Sequence, residues 1–297
     1  ALRRDLGDVA APVVAADGAR GETTLGAFLD AEADLDGFDE ARAYLKDCHL
    51  HRAAPGWYAA PPGLDDDFLN RHCDACGLDD FRFLYLGGAG TRTPVHADVL
   101  ASHSWSANVC GEKRWWLFPP EETAKLRDAA GHLVDDARPG RYDAARFPRV
   151  AAARCLRATQ PPRSAIFVPS DWHHMVVNAR ATLSINHNWF EAGALPNVWR
   201  YLAGEAAAAS AELDACRADV LARGGELAEW RWMVERVLRD AARLNVSDFV
   251  ALCRRELPGR TLDEAARARV GDALRDAAAR FSDFVFLDEA GAWPRDE

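Results

Sequence analysis

Apolar and polar positions alternate with a period of two through the middle of the chain and recur at helical spacing towards its end. Phe81, Phe83 and Tyr85 alternate with Arg82, Leu84 and Leu86, and Gly87-Gly88-Ala89-Gly90 then turns the chain. The same pattern predicts strands over Val95–Asp98, Ser104–Cys110, Arg114–Phe118, Ala153–Ala158 and Ala165–Val168. Met175–Asn178 and Thr182–Phe190 read as a hairpin pair. Ahead of this block, residues 1–23 form an irregular or partly extended lead-in, and Thr24 caps a helix through about Asp34. A short helix is predicted from Phe38 into Ala43, then an extended Tyr44–Leu50 with Tyr44, Lys46 and Cys48 on one face. Pro55–Gly63 reads as a loop and Asp65–Cys73 as a helix. A helix over Glu121–Ala130 follows Pro119-Pro120, with a polar connection to about Arg149. Beyond Asn197, helices are predicted at Val198–Leu221, Glu226–Leu244, Ser247–Glu256 and Leu262–Phe284. Their apolar stripes need cover from the strands, from one another, or from a second subunit, which leaves a homodimer open.

Composition narrows the class without naming a function. The chain has 297 residues, 49% hydrophobic and 28% charged, as in an ordinary water-soluble fold. Seven cysteines without regular spacing indicate reduced thiols rather than a disulfide framework. Neither a charged-then-apolar leader nor a long apolar run occurs, so no secretory signal or membrane span is expected. Net charge is −10, but unevenly spread: residues 81–200 carry 15 basic and 10 acidic groups between acidic flanks. That density is too low for a nucleic-acid track, and the acidic flanks are compatible with a basic protein substrate. Only Lys46, Lys113 and Lys125 are lysines, against 33 arginines.

The chemistry concentrates between Tyr85 and Pro120. His96 and Asp98 are two residues apart, so in a strand both side chains point to one face and can share an ion. A third ligand is available downstream, where His173 and His174 are neighbours and face opposite ways in a strand. Two imidazoles and one carboxylate make the facial triad of non-haem iron oxygenases, although spacing alone leaves iron, manganese and zinc open. Ser184, Asn186 and Asn188 place three small polar groups on one strand face, which suits the lining of a ligand cavity better than a dry core. Cys73 and Cys76 form a Cys-x2-Cys pair with no second pair nearby, and read as ordinary thiols. The glycine cluster lacks the lysine of a phosphate loop, which excludes nucleotide binding there.

Several words now combine: Tyr44-Leu-Lys-Asp47, Thr93-Pro-x-His-Ala-Asp98, Ser104-Trp-Ser-x-Asn-Val-Cys-Gly111, Lys113-Arg-Trp115, Leu117-Phe-Pro-Pro120, Phe167-Val-Pro-Ser-x-Trp-His-His174 and Ser184-Ile-Asn-His-Asn-Trp189. Together they resemble the Jumonji C family of Fe(II)- and 2-oxoglutarate-dependent oxygenases, and within it the Jumonji-domain-containing protein 4 group of lysyl 4-hydroxylases acting on the eukaryotic release factor. The resemblance implies a mainly β fold, a double-stranded β-helix (jelly-roll, cupin-like) over residues 81–192. Residues 1–80 would be a mixed lead-in and 193–297 a helical region. It implies His96, Asp98 and His174 as catalytic metal ligands. Lys113, Thr93 and Tyr44 would bind the far carboxylate of 2-oxoglutarate, and Asn188 would be a further cofactor-pocket position. Fe(II), 2-oxoglutarate and O₂ would be the cofactor and co-substrates, a release-factor lysine the substrate, and the cytoplasm, with the nucleus second, the compartment. The alternatives are an N-methyl-lysine demethylase and a non-enzymatic cupin-like scaffold. Three positions depart from the family's words: Cys48 where tryptophan is usual, Asp171 at a turn glycine, and Pro162 in place of a glycine.

Overall fold

The computed structural model describes residues 2–31, 35–259 and 262–281. They divide into two compact units, one of Ala1–Asp65, Cys73–Asp98 and His103–Trp189, the other of Asp66–His72, Val99–Ser102 and Phe190–Glu297.

The first unit contains two antiparallel sheets. One has seven strands in the order β2 (Arg20–Thr24), β1 (Ala10–Val14), β3 (Tyr44–Cys48), β4 (Arg82–Gly87), β11 (Thr182–Trp189), β6 (His103–Cys110) and β9 (Ser164–Val168). The other has four, in the order β5 (Arg92–Ala97), β10 (His173–Asn178), β7 (Lys113–Phe118) and β8 (Leu156–Gln160). The mainly β jelly-roll expectation is therefore corrected: the fold is mixed α/β, 41% helix against 25% strand, and no closed barrel is found among the described residues. Each sheet keeps two edge strands, β2 and β9 in one and β5 and β8 in the other. The helix share is large because the lead-in and the chain beyond Phe190 are both rich in helices.

Local chemistry explains most of the other differences. The lead-in holds α1 (Leu2–Leu6) and the β1–β2 pair, and α2 (Leu25–Ala31) begins where the Thr24 hydroxyl accepts the Ala27 N–H at 3.2 Å. Residues 32–34, to which that helix was expected to run, lie outside the described residues. No helix forms over 38–43. The Asp39 carboxylate accepts the Ala41 N–H at 2.9 Å and the Asp39 N–H bonds Ala89, so the segment turns against the glycine loop. Strict alternation in β3 also fails. Asp47 takes φ 60° at a bulge, and Cys48 joins Leu45 in the core instead of sharing a face with Tyr44 and Lys46. After β3 comes α3 (Leu50–Ala53), and α4 (Phe68–Cys76) starts later than predicted, with Asp67 bonding the Asn70 N–H. The helix expected at Glu121–Ala130 is a 3₁₀ segment, Pro120–Leu126. β10 and β11 are not a hairpin pair, because they belong to different sheets.

Two apolar clusters back these sheets. Leu84, Leu86, Trp105, Leu183 and Ile185 pack with Leu6, Leu25, Phe28 and Leu50 on one face of the seven-stranded sheet. Val95, Phe118, Met175 and Val177 pack with Leu126, Val134, Phe147 and Val150 on one face of the four-stranded sheet. Each buried leucine or phenylalanine contributes about 1.5–3 kcal/mol, so these faces hold the sheets. The opposite faces carry the polar cavity residues together with a smaller apolar cluster of Trp115, Val168 and Val176. Gly87 assists, because a Cβ there would lie 2.6 Å from the Tyr44 ring.

The second unit is helical, with α5 (Leu195–Glu212), α6 (Asp214–Ala222), α7 (Leu227–Ala242), α8 (Val246–Gly259) and α9 (Glu264–Phe281). The predicted Val198–Leu221 helix is broken at Leu213, whose carbonyl accepts the Trp230 indole N–H at 2.8 Å. Trp199 stacks on Phe249 at 5.0 Å and donates to Asp276 at 2.6 Å. Glu235 is fully buried in α7 and accepts the Val246 and Ser247 N–H groups, which caps the start of α8. Burial pushes its carboxyl up to about 7. Among the described residues no helix is long and apolar enough to cross a membrane.

Candidate metal centre

β5 and β10 are neighbours, and His96 pairs directly with His174 across them, with ring centroids 4.2 Å apart. Asp98 follows β5 by one residue and keeps the face of His96. As a result one ligand atom from each of His96, Asp98 and His174 lies within 4.8 Å of the others, the one such cluster among the described residues. His96 Nδ1 donates to the Pro94 carbonyl at 2.8 Å, leaving Nε2 with a free lone pair. His174 Nδ1 is buried without a hydrogen-bond partner and lies 4.0 Å from Asp98 Oδ2. Burial pushes His174 down to about 4, so its imidazole is neutral at pH 7 and able to ligate. An orphaned nitrogen, a second free nitrogen and a carboxylate at this spacing fit a divalent cation. His173 points to the other face, with Nδ1 3.2 Å from the Thr123 hydroxyl.

The strand registers explain what surrounds the three ligands. Between the His96–His174 and Thr93–Val176 pairs, β5 carries one residue more than β10. This bulge brings Thr93 onto the face of His96 despite their odd spacing. On β7, Lys113 and Trp115 share the inner face, and Trp115 stacks on His174 with planes 25° apart. The seven-stranded sheet contributes Ser104, Ser106, Asn186 and Asn188 in register on β6 and β11, Tyr85 on β4 and Tyr44 on β3. All of these residues line one cavity with the three ligands.

Lys113 is the strongest electrostatic feature of that cavity. It is only 2% exposed, its Nζ donates to the Ser184 hydroxyl at 2.7 Å, and among the described residues it has no carboxylate partner. Burial pulls its ammonium down to about 7. Tyr44 and Tyr85 are raised instead, burial again being the main cause. The Tyr44 hydroxyl meets the Asn178 and Thr93 side chains, and Tyr85 donates to Asp47 at 2.8 Å. An uncompensated buried cation beside hydroxyl groups is a receptor for an anion.

All seven candidate residues, Tyr44, Thr93, His96, Asp98, Lys113, His174 and Asn188, line this cavity. Asn188 spends its amide N–H on Asp98 Oδ1 at 2.8 Å. Of the Ser184, Asn186 and Asn188 row, Asn186 and Asn188 face the cavity, while Ser184 supports Lys113 and accepts from Asn186. Tyr85, Ser104, Ser106 and Trp115 were missed as site residues. The period-two row Ser104, Ser106, Asn108 on β6 is the signal that could have found two of them. Cys73 is buried and Cys76 exposed, and no metal cluster forms around them among the described residues. Asp171 takes φ 67°, which accounts for the turn position where glycine is usual. The charges acting on His174 are those of His96, Asp98 and His173.

Two antiparallel sheets holding a His-x-Asp…His cluster above a buried lysine define a class, and the sequence comparison agrees. Residues 10–194 match the model of the Cupin-like domain, and the chain belongs to that family. Within it the chain is closely related to the 2-oxoglutarate and iron-dependent oxygenase JMJD4. It is 40% identical to the Homo sapiens protein over 210 residues, 69% of this chain and 49% of that one. It is 33% identical to the Danio rerio protein over 240 residues, 80% and 55% of the two chains. The arginine-specific demethylase JMJ20 of Arabidopsis thaliana is 38% identical over 215 residues, 63% and 44% of the two chains. The chain spans about half the length of these relatives.

Proposed function

We propose that this chain is an Fe(II)- and 2-oxoglutarate-dependent protein hydroxylase, with a lysine of a translation release factor, at C4, as its substrate. The observation that carries this reading is Lys113, a buried cation without a counter-charge in the same cavity as His96, Asp98 and His174. A dicarboxylate bridging the two ends would satisfy both. His96, Asp98 and His174 would hold the iron, and Asp98 would supply the negative charge that two neutral imidazoles lack. Lys113, with the Thr93 and Tyr44 hydroxyls, would bind the far carboxylate of 2-oxoglutarate. When bound, iron would let O₂, the oxidant, react with 2-oxoglutarate, one oxygen atom ending in succinate as CO₂ leaves and the other in the hydroxylated substrate. The protein's share is placement: Trp115 supports the His174 ring, and the strands hold the ligands and Lys113 around one cavity. The release-factor reading is supported by kinship with the JMJD4 oxygenases, and with it we propose the cytoplasm as the compartment, with the nucleus second.

A second reading is demethylation of an N-methylated basic side chain, favoured by the similarity to a relative named an arginine-specific demethylase. The deciding experiment reconstitutes the protein anaerobically with Fe(II) and 2-oxoglutarate, then incubates it in air with release-factor fragments and with matched methylated peptides. Mass spectrometry should find one added oxygen on a lysine, with succinate formed in step. Formaldehyde from the methylated peptides, with no hydroxylated lysine, would establish the second reading instead. Absence of both products and of substrate-dependent succinate would end both.

A further inference from the structure

Asp98 is gripped at both oxygens. The Ser104 hydroxyl donates to Oδ2 at 2.7 Å and the Asn188 amide donates to Oδ1 at 2.8 Å. The two donors come from neighbouring strands, and Ser104 on β6 and Asn188 on β11 are direct cross-strand partners. They therefore act as one fixed fork anchored in the seven-stranded sheet. Asp98 itself belongs to the connection just after β5, beyond the last residue of that strand, so its own backbone lacks a sheet partner on the ladder. Without the fork its side chain would be free to turn about χ2.

We propose that Ser104 and Asn188 are positioning residues that hold Asp98 as a one-oxygen metal donor. The inference rests on the metal-site reading above and deepens it. Both donors are neutral, so the carboxylate keeps its full negative charge for the ion, which a cationic partner would have reduced. Each carboxylate oxygen has two acceptor positions, and the fork occupies one on each. The oxygen bonded to Ser104 is the one facing His174, at 4.0 Å from its Nδ1. Rotating the carboxylate so that both oxygens reach one ion breaks at least one of the two bonds. A one-oxygen donor also leaves more of the ion's coordination positions open for a chelating co-substrate.

The test uses the full chain and Mn(II) as the probe, with no co-substrate. Mn(II) affinity is measured by titration and the ion's environment by electron paramagnetic resonance, for the parent, Asn188→Ala, Ser104→Ala, Ser104→Thr and Lys113→Ala. Circular dichroism confirms that each variant is folded. The two alanine variants at the fork should lose about 10- to 100-fold in Mn(II) affinity and change the zero-field splitting. Ser104→Thr, which keeps the hydroxyl, should restore both. Lys113→Ala, which removes a cation from the cavity without touching Asp98, should not weaken Mn(II) binding, which separates the fork from general damage to the cavity. Folded fork variants that bind Mn(II) within about twofold of the parent, with an unchanged spectrum, would overturn the proposal and leave the metal site standing. Should Ser104→Ala or Asn188→Ala fail to fold, an unchanged Ser104→Thr beside a weakened, folded Asn188→Gln still supports it, and an unweakened Asn188→Gln overturns it. A parent that binds no Mn(II) would overturn the metal-site reading and this one together.

Discussion

Lys113 is the residue on which electrostatics bear most heavily. An ammonium buried to 2% exposure, bonded to one hydroxyl and 5.9 Å from the Tyr85 ring centre, is held there at the expense of its own ionisation. Lys113→Ala should weaken 2-oxoglutarate binding by about 2 kcal/mol, or about thirtyfold, read by calorimetry in the presence of Mn(II), with metal affinity not weakened. The pH dependence has a definite sign. In the empty cavity the ammonium is charged below about 7 and neutral above it, so co-substrate affinity should fall as pH rises beyond 7. In Lys113→Met that fall should disappear from the titration series. The ligand residue types were legible from the sequence, since His96 and Asp98 two apart on a strand require no tertiary knowledge. The choice of His174 over His173 became a matter of geometry only once β10 lay beside β5.

At the scale of elements, the turns and bulges set the site. The Pro169–Trp172 turn, closed by the Trp172 N–H on the Pro169 carbonyl at 3.3 Å, delivers His174 with Asp171 in the left-handed region. The Ser170 N–H donates to His103 Nδ1 at 2.9 Å, tying that turn to β6. An L side chain at φ 67° is strained, so Asp171→Gly should raise stability by about 0.5–1 kcal/mol, seen as a higher Tm with unchanged Mn(II) affinity. The bulge in β5 that turns Thr93 to the cavity left no mark in the hydrophobic pattern, because a single extra residue does not disturb apolar alternation enough to be read. Glu235 illustrates another element-level constraint. Its carboxyl, raised to about 7 by burial, holds a proton that the unfolded chain releases near 4.5. The stability this contributes is complete below about 4.5 and lost as pH rises through 7. Glu235→Gln should flatten that part of the stability-against-pH curve in chemical denaturation. A wild-type slope retained by the variant would exclude Glu235 as its source.

At the scale of the molecule, stability and site are coupled through whatever binds the folded state alone. Mn(II) at about 100 times its Kd should stabilise the chain by about 2.7 kcal/mol, and a chelator should reverse the resulting Tm shift. Asp98→Ala should abolish the shift, read against that variant's own metal-free Tm, which the loss of the Ser104 and Asn188 hydrogen bonds lowers. The overall class was the largest misreading. Strand periodicity in residues 81–192 was read correctly almost segment by segment, yet it does not say which strands share a sheet or whether a sheet closes. Pairing partners are set by contacts between residues far apart in sequence, and those leave no local pattern.

The sequence alone determined the kinds of donor present, the faces they occupy along each strand, and the polar rows that no dry core would tolerate, because these follow from a period of two and from the chemistry of single side chains. Tertiary structure decided which histidine meets His96, that Ser104 and Asn188 close on Asp98, and that Lys113 is left buried without a counter-charge. Each of those outcomes depends on register between distant strands and on the loss of solvent around a charge, neither of which exists until the chain has folded.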